Sequence, residues 1–212
     1  MIKLPRRSRF LPWFLIGLCL VGLTGAASAG EPQDKVKQTI TDVLAILQDA
    51  SLQGPEQTEA RRAKIREVVR QRFGFEEMAK RALGRHWRNL KPEQRQEFVS
   101  LFSDLLERSY ISKIESAVTE EKLNVLYTKE TIDKDGYAEV RTEIVNPRDL
   151  NFGIDYRLLQ RDGNWEAYDI IIEGVSLVNN YRTQFNTIIG QESYEGLVKR
   201  LKRKIEQEEA VQ

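Results

Sequence analysis

The sequence contains one cysteine and one histidine in 212 residues. Cys19 lies in an apolar stretch near the N-terminus, and His86 stands beside Trp87. A typical zinc site needs several nitrogen, sulfur or oxygen ligands within reach, and a disulfide within the chain needs a second cysteine. We therefore expect no disulfide and no typical zinc site, and we interpret His86 as a structural or surface residue.

Motifs for nucleophilic catalysis and phosphate binding are also missing. No serine lies in a G-x-S-x-G elbow. Gly163 and Gly174 are isolated, so the chain has no glycine-rich loop of the kind that cradles phosphates. The composition therefore offers no familiar catalytic constellation.

One enzymatic alternative remains open. A carboxylate base and a tyrosine donor in one cavity can catalyse an isomerisation, as in ketosteroid isomerase. Asp155 and Tyr156 are adjacent in the sequence, as are Tyr168 and Asp169, so within a strand each pair is expected to point to opposite faces. Tyr156 with Asp169, across two strands, is the combination left. The alternative interpretation is that the tyrosines belong to the core edge and the aspartates to a solvated face.

Residues 1–29 have the three parts of a cleavable secretory signal peptide. Four basic residues and no acidic residue precede an apolar run from Phe10 to Gly25, and Ala27-Ser28-Ala29 is a small-residue cleavage site. The run is shorter than the roughly 20 apolar residues of a spanning helix. Cys19 lies in its middle, so it does not suit a lipoprotein site. We expect cleavage after Ala29 and export to the periplasm.

Cleavage would change the composition. The remaining 183 residues carry 29 basic and 32 acidic residues, a formal charge of −3, and no cysteine. Such a chain must be stabilised by its own hydrophobic core. The nearly balanced charge, without a basic block, does not suggest a nucleic-acid partner.

Residues 34–116 read as a helical part. Apolar residues recur at helical spacing in 34–50, 56–72 and 75–83, and a long helix begins at Pro92. Proline is well tolerated in the first turn of a helix. Gly84 is a natural end for the third helix.

Residues 122–173 change to an alternating, strand-like pattern. Turn signals at 133–136, 146–149 and 161–164 divide this part into four strands. Closing helices follow over residues 175–205, and 206–212 form a frayed acidic tail. The expected architecture is one α+β domain over residues 30–205, with helices on the apolar face of a four-stranded antiparallel meander.

Three motifs resemble the MlaC, or toluene-tolerance, family of periplasmic phospholipid-binding proteins. The first runs from Phe73 to Gly84 and continues to Trp87. The second runs from Pro92 to Tyr110, and the third from Trp165 to Phe185. They occur in family order. Lys91 departs from the family pattern, which usually has Ser or Thr as a cap before the proline.

The resemblance implies a fold and a function. The fold is a curved four-stranded antiparallel sheet with helices on one face, an NTF2-like core with extra helices around an apolar cavity. The function is that of a soluble, non-catalytic carrier that shuttles phospholipid between the outer and inner membranes. It needs no cofactor, and phospholipid is its cargo. A hopanoid or another apolar lipid is the alternative cargo.

The resemblance also implies partners and a lipid site. The partners are an inner-membrane ABC transporter complex and an outer-membrane lipoprotein–porin complex, and the carrier itself is expected to be a monomer. The apolar residues expected to line the lipid pocket are Phe75, Met78, Leu83, Phe102, Leu105, Val140, Ile144, Tyr156, Tyr168, Ile170, Val175, Val178, Tyr181 and Phe185. Arg141 and Arg182 are candidates for the pocket mouth.

Overall fold

A computed structural model describes residues 31–119, 124–145 and 151–211. The expected signal peptide lies outside these residues, as does the expected turn at 146–149. The described helices are α1 Glu31–Gln48, α2 Thr58–Arg72, α3 Phe75–Leu83, α4 Pro92–Thr119, α5 Leu177–Gln191 and α6 Tyr194–Val211. The strands are β1 Asn124–Ile132, β2 Tyr137–Val145, β3 Phe152–Arg161, β4 Asn164–Ile172 and β5 Val175–Ser176.

The strands form one antiparallel sheet in the order β1-β2-β3-β4-β5. The expected α+β class and meander are confirmed, and the two-residue β5 is an addition to the four expected strands. Two turns agree with their sequence signals, because Gly136 and Gly163 both have φ of 79°, a conformation that glycine adopts without steric cost. None of the described helices is long and apolar enough to cross a membrane.

Cross-strand register assigns side chains to two faces of the sheet. We call one the α1 face, because its Ala138, Val140 and Leu158 form a buried cluster with Val36 of α1. We call the other the α3 face, because its Tyr137 contacts Arg81 of α3. Helices therefore cover both faces, which corrects the expectation of helices on one face only. Period-two alternation predicted the apolar face but did not reveal that part of the charged face is also covered.

The chain passes from one face to the other at the free part of the β4 edge. There Gly74 N–H donates to the Ala167 carbonyl at 3.0 Å, and Phe73 forms an isolated bridge to the same residue. A Cβ at position 74 would lie 2.9 Å from the Glu166 carboxylate. Glycine at this position leaves room for the Glu166 carboxylate beside the crossing between α2 and α3.

Helix α4 belongs to two clusters. Its first half supplies Phe98, Phe102 and Leu105 to a core shared with α3, α5 and α6. Its second half supplies Ile111 to a smaller cluster with Leu47 of α1 and Ile65 of α2. One long helix therefore connects the helices of the two faces.

Carboxylates on α4 bind arginines on α2. Glu107, whose side chain is only 2% exposed, accepts from Arg70 Nε at 2.7 Å and from the Arg70 NH2 group at 2.9 Å. About two helical turns further along α4, Glu115 accepts from Arg61 and Arg62. Such bidentate pairs fix geometry because the guanidinium fork matches the carboxylate.

We expect Arg70→Ala to lower the free energy of unfolding by about 2 kcal/mol, because it leaves the buried Glu107 without its main partner. The midpoint of urea denaturation measures this change. Arg66→Ala is the matched control on the same helix, since Arg66 pairs with the largely exposed Glu59 and surface pairs contribute less than about 1 kcal/mol. Equal losses in the two variants would contradict the assignment.

Candidate functional site

The α1 face is apolar but incompletely covered. Tyr156 on the central strand β3 pairs with Val140 on one side and Ile170 on the other. Val140 is fully buried, whereas Tyr156 and Ile170 keep part of their surface accessible. Burial strongly raises the pKa of the Tyr156 phenol. Next to the closely packed Val140, the apolar surface of Tyr156 and Ile170 is therefore incompletely covered.

Other apolar side chains along the α1 face are also only partly buried. Phe152, Ile154 and Ile172 are half-buried, and so are Ile40 and Val43 of α1. The apolar residues under α1 divide into one cluster around Val140 and another around Ile65 and Ile111. Packing under this helix is therefore discontinuous.

A crevice of about 30 Å³ lies between α1, Phe73 and strands β3 and β4. This volume is roughly that of one water molecule. Trp165 Nε1 and Arg72 Nε, on two residues that line the crevice, are buried without a hydrogen-bond partner in the part of the chain that the structure describes. Buried donors without acceptors are rare in native proteins.

The helical core beside the α3 face is packed differently. Phe102 contacts Tyr181 at 5.3 Å and Phe185 at 5.6 Å between ring centroids, both edge to face. Phe98 stacks on Phe102 at 5.8 Å. Phe98 and Phe102 are fully buried. These rings thus form a filled core between the helices.

Asp169 organises the start of α5. It is 3% exposed and accepts from the Val178 N–H at 3.0 Å and the Ser176 hydroxyl at 2.6 Å. Ser176 in turn caps the helix by accepting from the Asn179 N–H. Arg157 donates at 3.4 Å to Asp169 Oδ2, the oxygen that also accepts from Ser176, whereas the Val178 N–H donates to Oδ1. These contacts satisfy amide groups that a helix start leaves unpaired.

A β-bulge explains why Asp169 faces these partners. Arg157 pairs with Asp169, but the next residue, Leu158, pairs with Ala167, so Tyr168 is the extra residue. Tyr168 and Asp169 therefore line one cleft on the α3 face, which corrects the expectation that they point to opposite faces. A bulge places two successive residues against one partner, and alternation in the sequence does not predict it.

The enzymatic pair is not brought together. Tyr156 lies on the α1 face and Asp169 on the α3 face, because Asp169 shares its face with Arg157, the neighbour of Tyr156. The sheet separates the two side chains. The carboxylate instead binds the start of α5.

The cleft that contains Tyr168 and Asp169 has a volume of about 790 Å³ and lies between β3, β4, α3 and α5. Arg81 stacks over the Tyr168 ring at 4.2 Å and forms an ion pair of 2.8 Å with Glu77, a buried residue of α3. Charged and polar side chains make up most of the lining of this cleft.

The fourteen residues predicted to line a lipid pocket are divided between these regions. Phe75, Met78, Leu83, Phe102, Leu105, Tyr168, Val178, Tyr181 and Phe185 belong to the helical core or pack against it. Val140, Ile144, Tyr156 and Ile170 lie on the α1 face. Val175 is 60% exposed. The structure does not bring the fourteen together around one space.

His86 contacts the Asn186 side-chain oxygen at 3.0 Å through Nε2, a structural contact between the segment after α3 and α5. Residues 31–119, 124–145 and 151–211 contain no cluster of three potential metal ligands. The structural roles of Asp169, Glu77 and Glu107 were missed from the sequence. The Ser176-x-x-Asn179 spacing before an apolar run was the one available signal, since serine favours the N-cap position.

The fold places the chain in a class: α+β proteins in which helices flank an antiparallel meander and one sheet face stays apolar. Residues 37–203 match the family described as MlaC protein. The chain belongs to the MlaC family, and the expected membership is confirmed.

Two relatives illustrate the similarity. The intermembrane phospholipid transport system binding protein MlaC of Haemophilus influenzae is 21% identical over 130 residues, which are 60% of each chain. The match thus spans less than two thirds of that protein. The structure of a phospholipid-binding protein from Ralstonia solanacearum, in complex with a phospholipid, has a TM-score of 0.71 and 28% identity. It covers 84% of this chain and 98% of the other.

We expect Asp169→Asn to lower the free energy of unfolding by about 1–2 kcal/mol, because an amide is a weaker acceptor for the α5 cap and for Arg157. Thermal or urea denaturation measures it. Asp155→Asn is the matched control on the neighbouring strand, where the carboxylate is 29% exposed and Arg141 lies at 3.7 Å. A control loss as large as that of Asp169→Asn would overturn the capping role.

Proposed function

We propose that this protein binds phospholipid and transports it as a soluble carrier between the outer and inner membranes. The observation that carries the proposal is the apolar α1 face, which is only partly buried in a chain of the MlaC family. The Ralstonia solanacearum structure, 28% identical, supports it because that protein is in complex with a phospholipid.

Energetics favour an enclosed apolar site for such a cargo. Each methylene group removed from water contributes about 0.8 kcal/mol, so two tails of about 15 carbons represent on the order of 25 kcal/mol. Isolated surface residues do not offset so large a term. We propose that Val140, Ile144, Tyr156 and Ile170, together with Ile154, contact the acyl tails.

The helical core is less suitable than the α1 face for binding acyl tails. Its rings already contact one another, and inserting a tail would break edge-to-face contacts worth about 0.5–1.5 kcal/mol each in addition to the buried area. On the α1 face an acyl tail would instead occupy the gap between the two apolar clusters under α1. We therefore narrow the lipid-contacting set to the α1 face.

Entry requires α1 to move, since a crevice of about 30 Å³ cannot admit an acyl chain. Few polar contacts hold this helix in the part of the chain that the structure describes. Gln33 N–H donates to Glu130 on β1 at 2.8 Å, and Asp42 lies 3.9 Å from Arg72. Cargo oxygens near Trp165 and Arg72 would supply acceptors to their buried nitrogens.

The remaining parts of the proposal concern the cellular setting. The predicted signal peptide supports a periplasmic location, and the family supports docking to an inner-membrane ABC transporter complex and an outer-membrane lipoprotein–porin complex. We propose no catalysis and no cofactor, with phospholipid as cargo, and a monomeric carrier. The separation of Tyr156 from Asp169 supports the absence of the isomerase-like reaction considered above.

We expect protein purified from its native host to carry diacyl phospholipid, detected by mass spectrometry of a solvent extract. Ile154→Trp, which adds bulk to the α1 face, should reduce the bound lipid per protein at least about twofold, because overfilled apolar sites exclude other groups. Leu126→Trp makes the same kind of change at a position that is 44% exposed and should leave lipid content unchanged.

Three results would count against this proposal. An extract without lipid would overturn the carrier function. Polycyclic lipid in place of diacyl species would replace phospholipid by the hopanoid alternative. Normal lipid content in Ile154→Trp, with a loss in Leu126→Trp, would move the site away from the α1 face.

The α1 face and the helical core each contain one tryptophan, which gives a direct test of where the lipid binds. We expect removal of lipid to shift the indole ¹H–¹⁵N signal of Trp165, on the α1 face, and to leave that of Trp87, in the helical core, nearly unchanged. Trp165→Phe assigns the signal. A shift confined to Trp87 would place the cargo in the helical core.

A further inference from the structure

The 790 Å³ cleft on the α3 face carries an excess of positive charge. Five cationic side chains line it, and only two carboxylates do, Glu77 and Asp169. The cations are Lys80, Arg81, Arg88, Arg157 and Arg182. The whole chain has 33 basic and 32 acidic residues, so the cleft is more positively charged than the chain as a whole.

Both carboxylates of the cleft are already bound by groups of the protein itself. Asp169 accepts from Ser176, from the Val178 N–H and from Arg157. Glu77 lies within ion-pair distance of Lys80, Arg81 and Arg161. These pairs hold the cleft walls together and leave the two most exposed arginines to face solvent.

Those two arginines are Arg88, after α3, and Arg182, on α5. Both are exposed, and neither forms an ion pair within the residues that the structure describes. Arg182 lies against the backbone at Gly84, where a Cβ would be 2.9 Å from its Nε atom. The Arg182 guanidinium group therefore lies beside Gly84 at the cleft.

Aromatic rings add a second type of contact. Tyr137 and Tyr168 line the cleft and meet edge to face at 5.9 Å, with Arg81 over both rings. A site with aromatic rings beside guanidinium groups suits a ligand that carries carboxylates on aliphatic side chains. Arginine binds carboxylates bidentately, which gives geometric selectivity that a point charge lacks.

We infer that this cleft binds an acidic segment of a protein partner, with Arg88 and Arg182 as the principal contacts. The inference deepens the proposed function, because a carrier that exchanges cargo needs a docking site that leaves the lipid site free. The cleft meets this need, since the sheet separates it from the α1 face. A concave cleft with separated arginines fits an extended peptide better than a flat bilayer.

Fluorescence anisotropy with fluorescein-labelled hexaglutamate tests the inference on the full-length mature protein. We expect Arg88→Glu/Arg182→Glu to weaken binding at least about tenfold, because close charge pairs at an interface contribute strongly. Binding by the unchanged protein should weaken between about 0.05 and 0.5 M salt, as screening predicts. Arg88→Gln/Arg182→Gln should give an intermediate loss.

Lys37→Glu/Lys64→Glu is the matched control. It makes the same change in net charge at two exposed positions, on α1 and α2, outside the cleft. We expect peptide binding within about twofold of the unchanged protein, since the control keeps the cleft charges. Circular dichroism and the melting temperature of every variant exclude misfolding as the cause of a loss.

The inference is overturned by no hexaglutamate binding, by unchanged peptide binding in the cleft variant, or by equal weakening in the cleft variant and the control. Displacement of the peptide by phosphatidylglycerol vesicles, but not by phosphatidylcholine vesicles, would replace the protein partner by an anionic membrane. Lipid content is measured on the same samples. If the cleft variant has a normal lipid content and still binds the peptide like the unchanged protein, only the docking inference is refuted. If the unchanged protein carries no lipid, the carrier function is refuted.

Discussion

The buried Asp169 carboxylate connects the sheet to the helices that follow it. Its oxygens accept from the first turn of α5 and from Arg157 on the neighbouring strand, and the bulge at Tyr168 gives it this direction. The orientation of α5 in turn positions Tyr181 and Phe185 against Phe102. A single acceptor group therefore helps to determine the aromatic core, the cleft beside it and the face on which both lie.

The sheet divides the molecule into two regions with different packing. On the α3 side, edge-to-face rings and fully buried phenylalanines form a closely packed helical core beside the open cleft, and interiors packed in this way resist deformation. On the α1 side, half-buried aliphatic residues lie beneath a helix held by few polar contacts. Regions with few buried contacts are those that open at low free-energy cost. Rigidity on one face and looseness on the other suit a protein that must keep its fold while it admits a large apolar ligand.

Much of the fold was predictable from local patterns. The helices before residue 116, the hairpin at 133–136 and the alternation of Ala138, Val140, Thr142 and Ile144 all agree with the structure. These features arise from periodicity and turn chemistry, which act over a few residues. The candidate site was less predictable. Thirteen of the fourteen apolar residues divide between the helical core and the α1 face, and Val175 is exposed. The division depends in part on the crossing of the chain from one face to the other at Gly74.

The sequence by itself determined the α+β class, the order of the elements and the family, since motifs and hydrophobic periods are written along the chain. Only the tertiary structure decided that helices cover both faces and that Tyr168 and Asp169 share one of them. It also decided that five cations line one cleft. These features depend on contacts between residues far apart in the chain, such as Arg70 with Glu107 and Arg81 with Tyr168. The β-bulge reverses the face that alternation predicts, and the crossing at Gly74 brings α3 to the other side of the sheet from α1.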